Sequence, residues 1–178
     1  MQFSTAQKEM QTIFKNGAVG QAVSGFIWLV SAIFSTWVSR QSGVLILFFG
    51  GMLIFPLTQL ALKLTGGNIH LTPGNPLENL GRQVAFIVPL CLPLVIGVYS
   101  ANPNWYYPAF MIIIGAHYLP FITLYGSGLY AVLSAVLVGG GVLLGWFLPD
   151  QFVPGGWITA GLLLIFAVLL FRNNHSER

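Results

Sequence analysis

Six stretches of the sequence, residues 19–38, 43–64, 83–100, 105–124, 128–148 and 156–171, are apolar and almost free of charge. A helix needs about 20 such residues to cross a hydrocarbon core of about 30 Å, where no water satisfies the backbone. Only helices and closed barrels meet that condition, and these runs lack the period-two alternation of barrel strands. The sequence therefore predicts an all-α polytopic membrane bundle, a single membrane domain with six transmembrane helices. Composition agrees: 56% of the 178 residues are hydrophobic and 6% charged, and mean hydropathy is +0.80, outside the range of soluble domains. The third run is short and carries two prolines, which makes it a candidate for a tilted or partly re-entrant crossing. The polar start reads as the lead into an uncleaved first helix, because further spans follow it, and neither end carries a lipidation signal.

Ahead of the first run, Phe3, Ala6, Met10, Ile13 and Phe14 fall at helical spacing opposite Gln7, Lys8, Gln11 and Lys15. That stripe predicts an amphipathic helix over residues 2–17 in the membrane interface, with Ser4 and Gln7 spaced as a capping box. Such a helix either leads into the bundle or docks a partner or lipid. A pI near 9.3 would suggest nucleic acid for a soluble chain, but here the net charge of +3 rests on seven Lys and Arg that follow topology. With the N-terminus inside, Lys8, Lys15, Lys63, Arg82, Arg172 and Arg178 share one side and Arg40 lies on the other. Trp37, Trp105, Trp146 and Trp157, with Tyr99, Tyr106 and Tyr107, then form an aromatic belt at the outer ends. Both signals put the N- and C-termini in the cytoplasm and make the lipid bilayer, not nucleic acid, the partner.

The longest connection, Thr65 to Gly81, is rich in Gly, Asn and Pro. Within it Asn75-Pro76-Leu77-Glu78 has an N-cap residue, proline at the first helical position and a glutamate at the third, so a helix should begin there. Glu78 and Arg82 are then placed to pair at i, i+4; alternatively His70, Asn75, Glu78 and Asn79 line a cytoplasmic mouth. Gly51 with Pro56 and Gly115 with Pro120 share a spacing, which suggests a hairpin duplicated in parallel.

Proline inside a helix removes a hydrogen bond and frees a carbonyl. Pro56, Pro89, Pro93 and Pro120 put helix-breaking residues in three consecutive spans, and kinks that meet would open a cavity near mid-membrane. Intramembrane ionisable groups are functional candidates by default, and His117 is the one such residue within the spans. Around it lie Tyr118, Thr123 and Tyr125, with Thr58 and Gln59 at comparable positions after Pro56. A neutral histidine there serves a polar head, a proton relay or a simple bond to a carbonyl. A metal site lacks second ligands within the spans, Cys91 is the single cysteine, and no cofactor is implied. Partnered acids and bases are likewise missing from the spans, which disfavours an enzyme and ion-coupled pumping. Ala131, Ala135 and Gly139, followed by Gly141 and Gly145, permit close helix contact, within one subunit or as a homo-oligomer face.

The segments Gly50-Gly51-Met-Leu-Ile-Phe-Pro-Leu, Gly74-Asn-Pro-Leu-Glu-Asn-Leu-Gly81 and Ile114-Gly-Ala-His-Tyr-Leu-Pro-Phe121, the last followed by Leu124-Tyr125, resemble the motifs of an uncharacterised bacterial membrane family, domain of unknown function 7010. The resemblance covers most of the chain. It implies a bacterial cytoplasmic-membrane setting and central roles for the second and fourth spans, without implying an activity. Two functions are expected from the residues: a bundle that binds or moves a small amphiphile or lipid around His117, or a structural protein that acts through a membrane partner or a homodimer.

Overall fold

The computed structural model describes residues 1–65 and 70–176, the last three of these by backbone alone; Arg178, counted above among the inner cations, lies outside the described residues. Among the described residues eight α-helices follow one another: α1 Phe3–Phe14, α2 Ala18–Trp37, α3 Arg40–Leu64, α4 Leu77–Ala101, α5 Tyr106–His117, α6 Leu119–Tyr125, α7 Leu129–Phe147 and α8 Pro154–Ser176. Turns of 3-10 helix at Lys15–Gly17 and Pro103–Trp105 lead into α2 and α5. Six helices are long and apolar enough to cross a membrane, with α5 and α6 together forming the fourth, so the chain is a multi-pass membrane protein. The lead-in helix α1 and the end of α8 meet at one end of the bundle, hereafter the α1 face.

Small residues set the contacts. The helices α2 and α3 run antiparallel. A Cβ at Gly50 would press within 2.6 Å of Ile27 Cγ2, and one at Gly20 would touch Thr58. On the other side of α2, Gly25 faces Leu164 and Gly156 faces Ala32. In the second half of the bundle Gly115, Gly140, Gly141 and Gly145 on α5 and α7 meet Leu137, Met111, Ile112 and Trp105. Lipid supplies no hydrophobic force between helices, so this close backbone approach, with its dispersion contacts, holds them together. Large apolar side chains point outward instead, among them Phe26, Phe86, Leu90, Leu94, Val142 and Leu143.

Several expectations are corrected. The third span is a full helix of 25 residues, long because the capped start at Asn75 adds six residues to the apolar run: the Asn75 side chain accepts from Leu77 N–H at 2.9 Å. Glu78 and Arg82 pair on its exposed first turns. The Ser4–Gln7 box does not form; α1 begins at Phe3 without a side-chain cap, and Gln7 reaches across to the Thr123 carbonyl at 2.7 Å. Tyr106 and Tyr107 are not belt residues but fully buried, because Tyr106 donates to the Val44 carbonyl and Tyr107 bonds Ser31 and Ser35 of α2. Trp37, Trp146 and Trp157 keep surface positions there, with Trp157 donating to Thr36.

The glycine stripe of α7 is split between two faces. Gly141 is buried against α5 and Gly145 against Trp105 in the turn before it, whereas Ala131 and Ala135 are exposed and a Cβ at Gly139 meets nothing within 4 Å. Gly141→Leu, whose Cβ would lie 2.7 Å from Ile112 and from the Pro108 carbonyl, is expected to cost about 1–3 kcal/mol through overpacking. Gly139→Leu should leave stability unchanged. Thermal unfolding in one detergent, followed by helical circular dichroism, checks the contrast, and equal midpoints would refute the assigned packing.

Candidate functional site

The break in the fourth span builds the site. Tyr118 N–H turns back to the Ile114 and Gly115 carbonyls and ends α5. Pro120, without an N–H to lose, sits in the first turn of α6. Gly126 at φ +61° then stops α6 and sends the chain into α7. Tyr118, Phe121, Tyr125 and Tyr130 thereby come together from three consecutive elements. Tyr130 stacks on Tyr118 at 6.0 Å and on Tyr125 at 5.7 Å between centroids, and Phe121 lies 5.2 Å from Tyr130. His117 closes one edge, 5.1 Å from Phe121 and 5.5 Å from Tyr118.

A second element approaches from the N-terminal side. Lys15, Asn16 and Gly17 all take positive φ, a run that asparagine tolerates and glycine prefers. A Cβ on Gly17 would press within 2.9 Å of the Tyr125 ring, so the turn docks directly on the aromatic cluster. The Tyr130 hydroxyl fixes it by donating to the Asn16 carbonyl at 2.7 Å. The next turn, in α2, brings Gln21 and Ser24 against the Tyr118 hydroxyl.

Three buried side-chain atoms have no hydrogen-bond partner among the described residues: Asn16 Oδ1, Gln21 Nε2 and His117 Nδ1. All three border this one cluster, and Asn16 and Gln21 are each 2% exposed. An unpaired buried polar atom costs about 1–3 kcal/mol, so three around one group of rings is a concentration that packing alone does not favour.

Of the residues singled out in the sequence, Tyr118 and Tyr125 are in the cluster and His117 is at its edge. Thr123 is exposed, and its carbonyl serves Gln7. Thr58 packs on Gly20 and bonds back to the Ile54 carbonyl, while Gln59 is half-buried beside it on α3. Pro56, Pro89 and Pro93 lie inside continuous helices, Pro56 and Pro93 on exposed faces; Pro120 alone of the four coincides with a break. Gly51 and Gly115 also differ in role, the first loosely facing Phe110 and the second tightly facing α7, so the shared spacing does not correspond to a shared packing. Asn16, Gln21 and Tyr130 went unnoticed in the sequence. The available signal was the spacing Gln21, Ser24, Trp28, Ser31, Ser35, a three-four repeat that marks the inward face of a membrane helix. Among the described residues no three His, Cys, Asp or Glu side chains come together.

Beside the cluster, at the α1 face, a partly open cavity of about 250 Å³ is lined by Gln11, Asn16, Tyr125, Ser127, Leu129 and Asn173. The helix α1 walls it, held by Gln11 donating to the Tyr125 carbonyl at 2.7 Å and by buried Ala6 and Met10. Glu9 anchors the same helix to the α3–α4 connection. Its carboxylate accepts from the Thr72 hydroxyl at 2.6 Å, Thr72 N–H at 2.7 Å and Asn75 Nδ2 at 2.7 Å.

Those bonds, the Thr72 hydroxyl foremost, hold the Glu9 carboxyl below its ordinary value. A lowered carboxyl contributes stability above the unfolded pKa of about 4.3 and loses it as pH falls through the folded value. At pH 7, Glu9→Gln is therefore expected to raise hydrogen exchange across α1 severalfold. In the wild type, exchange corrected for its intrinsic rate should be the same at pH 7 and about pH 5.5, both above that window. Equal protection in the variant and the wild type would show that Glu9 does not anchor α1.

No curated protein and no solved structure matches the chain. A family model does match, over residues 3–173, which is nearly the whole sequence and takes in both the cluster and the cavity wall. The chain belongs to the family of unknown function DUF7010.

Proposed function

We propose that this protein binds a small amphiphile or lipid at the α1 face, with the apolar body of the ligand against Tyr118, Phe121, Tyr125 and Tyr130. The observation that carries the reading is the trio of unpartnered buried atoms, Asn16 Oδ1, Gln21 Nε2 and His117 Nδ1, around one aromatic cluster. Polar groups on a ligand would satisfy atoms that the chain leaves unsatisfied, and aromatic faces give it a rigid apolar support. His117, Tyr118 and Tyr125 are the contacts; Thr58, Gln59 and Thr123 are set back from the cluster and serve at most as its surroundings. Binding or moving the ligand uses the same site.

The α1 face carries Lys8, Lys15, Lys63, Arg82 and Arg172, and the opposite face carries Arg40. By the positive-inside rule this favours both termini on the cytoplasmic side of a bacterial inner membrane. The site then takes its ligand from the cytoplasmic leaflet. A second reading, assembly with another membrane protein or a second copy, draws on the outward-facing Ala131, Ala135 and open Gly139 of α7.

Native mass spectrometry of protein released from lipid discs distinguishes the two. A bound small molecule is expected in the wild type, retained about fivefold less in His117→Ala and in Gln21→Leu, the loss of about 1 kcal/mol per hydrogen bond. Gln21 also meets the Tyr118 hydroxyl, so retention is compared at a temperature where circular dichroism shows wild type and variants equally folded. Wild-type and variant proteins with identical adducts, or a bare chain found as a constant dimer, would overturn the binding reading.

A further inference from the structure

The cavity at the α1 face has a chemistry of its own. Its polar walls are amides and a hydroxyl: Gln11, Asn16, Asn173 and Ser127. No carboxylate, ammonium or guanidinium lines it among the described residues. Lys15, next to Asn16 in the chain, donates to Thr65 Oγ1 at 3.1 Å. The Gln11 amide nitrogen is committed to the Tyr125 carbonyl, which fixes that side chain as wall. Asn16 is the exception: 2% exposed, lining the cavity, with its side-chain oxygen Oδ1 unpartnered among the described residues.

A charged head entering such a space would give up its hydration without a counter-ion, a penalty much larger than that for a neutral group. A hydroxyl both donates and accepts, so it complements a primary amide in either orientation of its oxygen and nitrogen. The cavity, about 250 Å³ and partly open, has room for a small polyol. Tyr125 and Leu129 line the cavity on its apolar side, and Tyr125 belongs to the aromatic cluster. A head in the cavity is therefore continuous with a chain lying on the rings.

We propose that the cavity selects an uncharged, hydroxyl-rich head group, of glycerol or single-sugar size, with Asn16 as the buried recognition residue. This rests on the amphiphile reading above and specifies the ligand class for the same site.

The test uses the full-length protein in an amine-oxide detergent, with three probes that share one octyl chain: octyl β-glucoside, octyl phosphate and octyltrimethylammonium. Binding is followed by intrinsic fluorescence and by adduct retention in native mass spectrometry. The glucoside is expected to bind at least tenfold tighter than either charged probe. Asn16→Gly, which suits the positive φ while removing the amide, and Ser127→Ala, which leaves the turn intact, should each reduce that preference severalfold. Equal binding of the three heads, or an unchanged preference in both variants, overturns the head-group assignment. If those probes still lose affinity in His117→Ala and Gln21→Leu, the amphiphile reading stands without it. Failure of all three octyl probes to saturate, with no adduct from lipid discs, overturns both.

Discussion

Side-chain bonds from α2 to α5 join the two closely packed parts of the bundle, α2 with α3 and α8, and α5 with α7. One stripe of α2, an amide and three serines around Trp28 at positions 21, 24, 28, 31 and 35, faces inward. The helix α5 answers it with aromatic side chains: Tyr107 bonds both Ser31 and Ser35, at 2.6 and 2.7 Å, and Trp28 packs 5.2 Å from Phe110. In lipid an unmatched hydroxyl has no water to fall back on, so this pairing fixes which faces of the two helices meet and at what height. Each such bond contributes about 0.6 kcal/mol, up to about 1.7, and glycine contacts on either flank then place α3, α8 and α7. Toward the α1 face the same stripe continues, but its polar groups are no longer fully answered. Gln21 has no partner for its nitrogen, and the opposing aromatic residues belong to a span that breaks at Tyr118.

That gradient separates a half of the bundle whose polar groups are matched from a half that leaves amide and imidazole atoms unpartnered. At the Arg40 end, Tyr106, Tyr107, Phe110 and Phe152 close on one another, and Arg40 caps the Phe152 ring at 5.5 Å. At the α1 end the tyrosines stack around a left-handed turn, unpaired amide and imidazole atoms border them, and a cavity opens beside Tyr125. Aromatic side chains thus pack against matched hydroxyls at one end and beside unpartnered amide and imidazole atoms at the other. The amphipathic helix α1 belongs to the second half: its Gln7 and Gln11 clamp the end of α6, and Glu9 ties it to the connection before α4.

The fold class was legible because hydrocarbon leaves so few alternatives: run length alone gave six crossings, and the Asn75-Pro76 signal marked where α4 starts. The break at Pro120 was legible as chemistry but not as geometry, since Pro56, Pro89 and Pro93 carry the same chemistry and sit within continuous helices. Whether a proline ends a helix depended on what followed. Gly126 at φ +61° stops α6 soon after Pro120, whereas α3 runs on through Pro56 to Leu64. His117, Tyr118 and Tyr125 were readable because they are close in sequence. Gln21 was readable only as part of the inward stripe of α2, and Asn16 not at all, because their place beside Tyr118, Tyr125 and Tyr130 arises from a long-range approach. Tyr106 and Tyr107 misled for the complementary reason: aromatic residues near a span end look like an interfacial belt until the serines opposite them are known.

A cryo-electron microscopy map of the protein in discs of native lipid, carrying a rigid fiducial on the Arg40 face, tests the binding account most directly. The account predicts elongated non-protein density along Tyr118, Tyr125 and Tyr130, within hydrogen-bond distance of Asn16, Gln21 and His117. A map in which those three side chains pair with protein groups and the rings close over an empty cluster would contradict it.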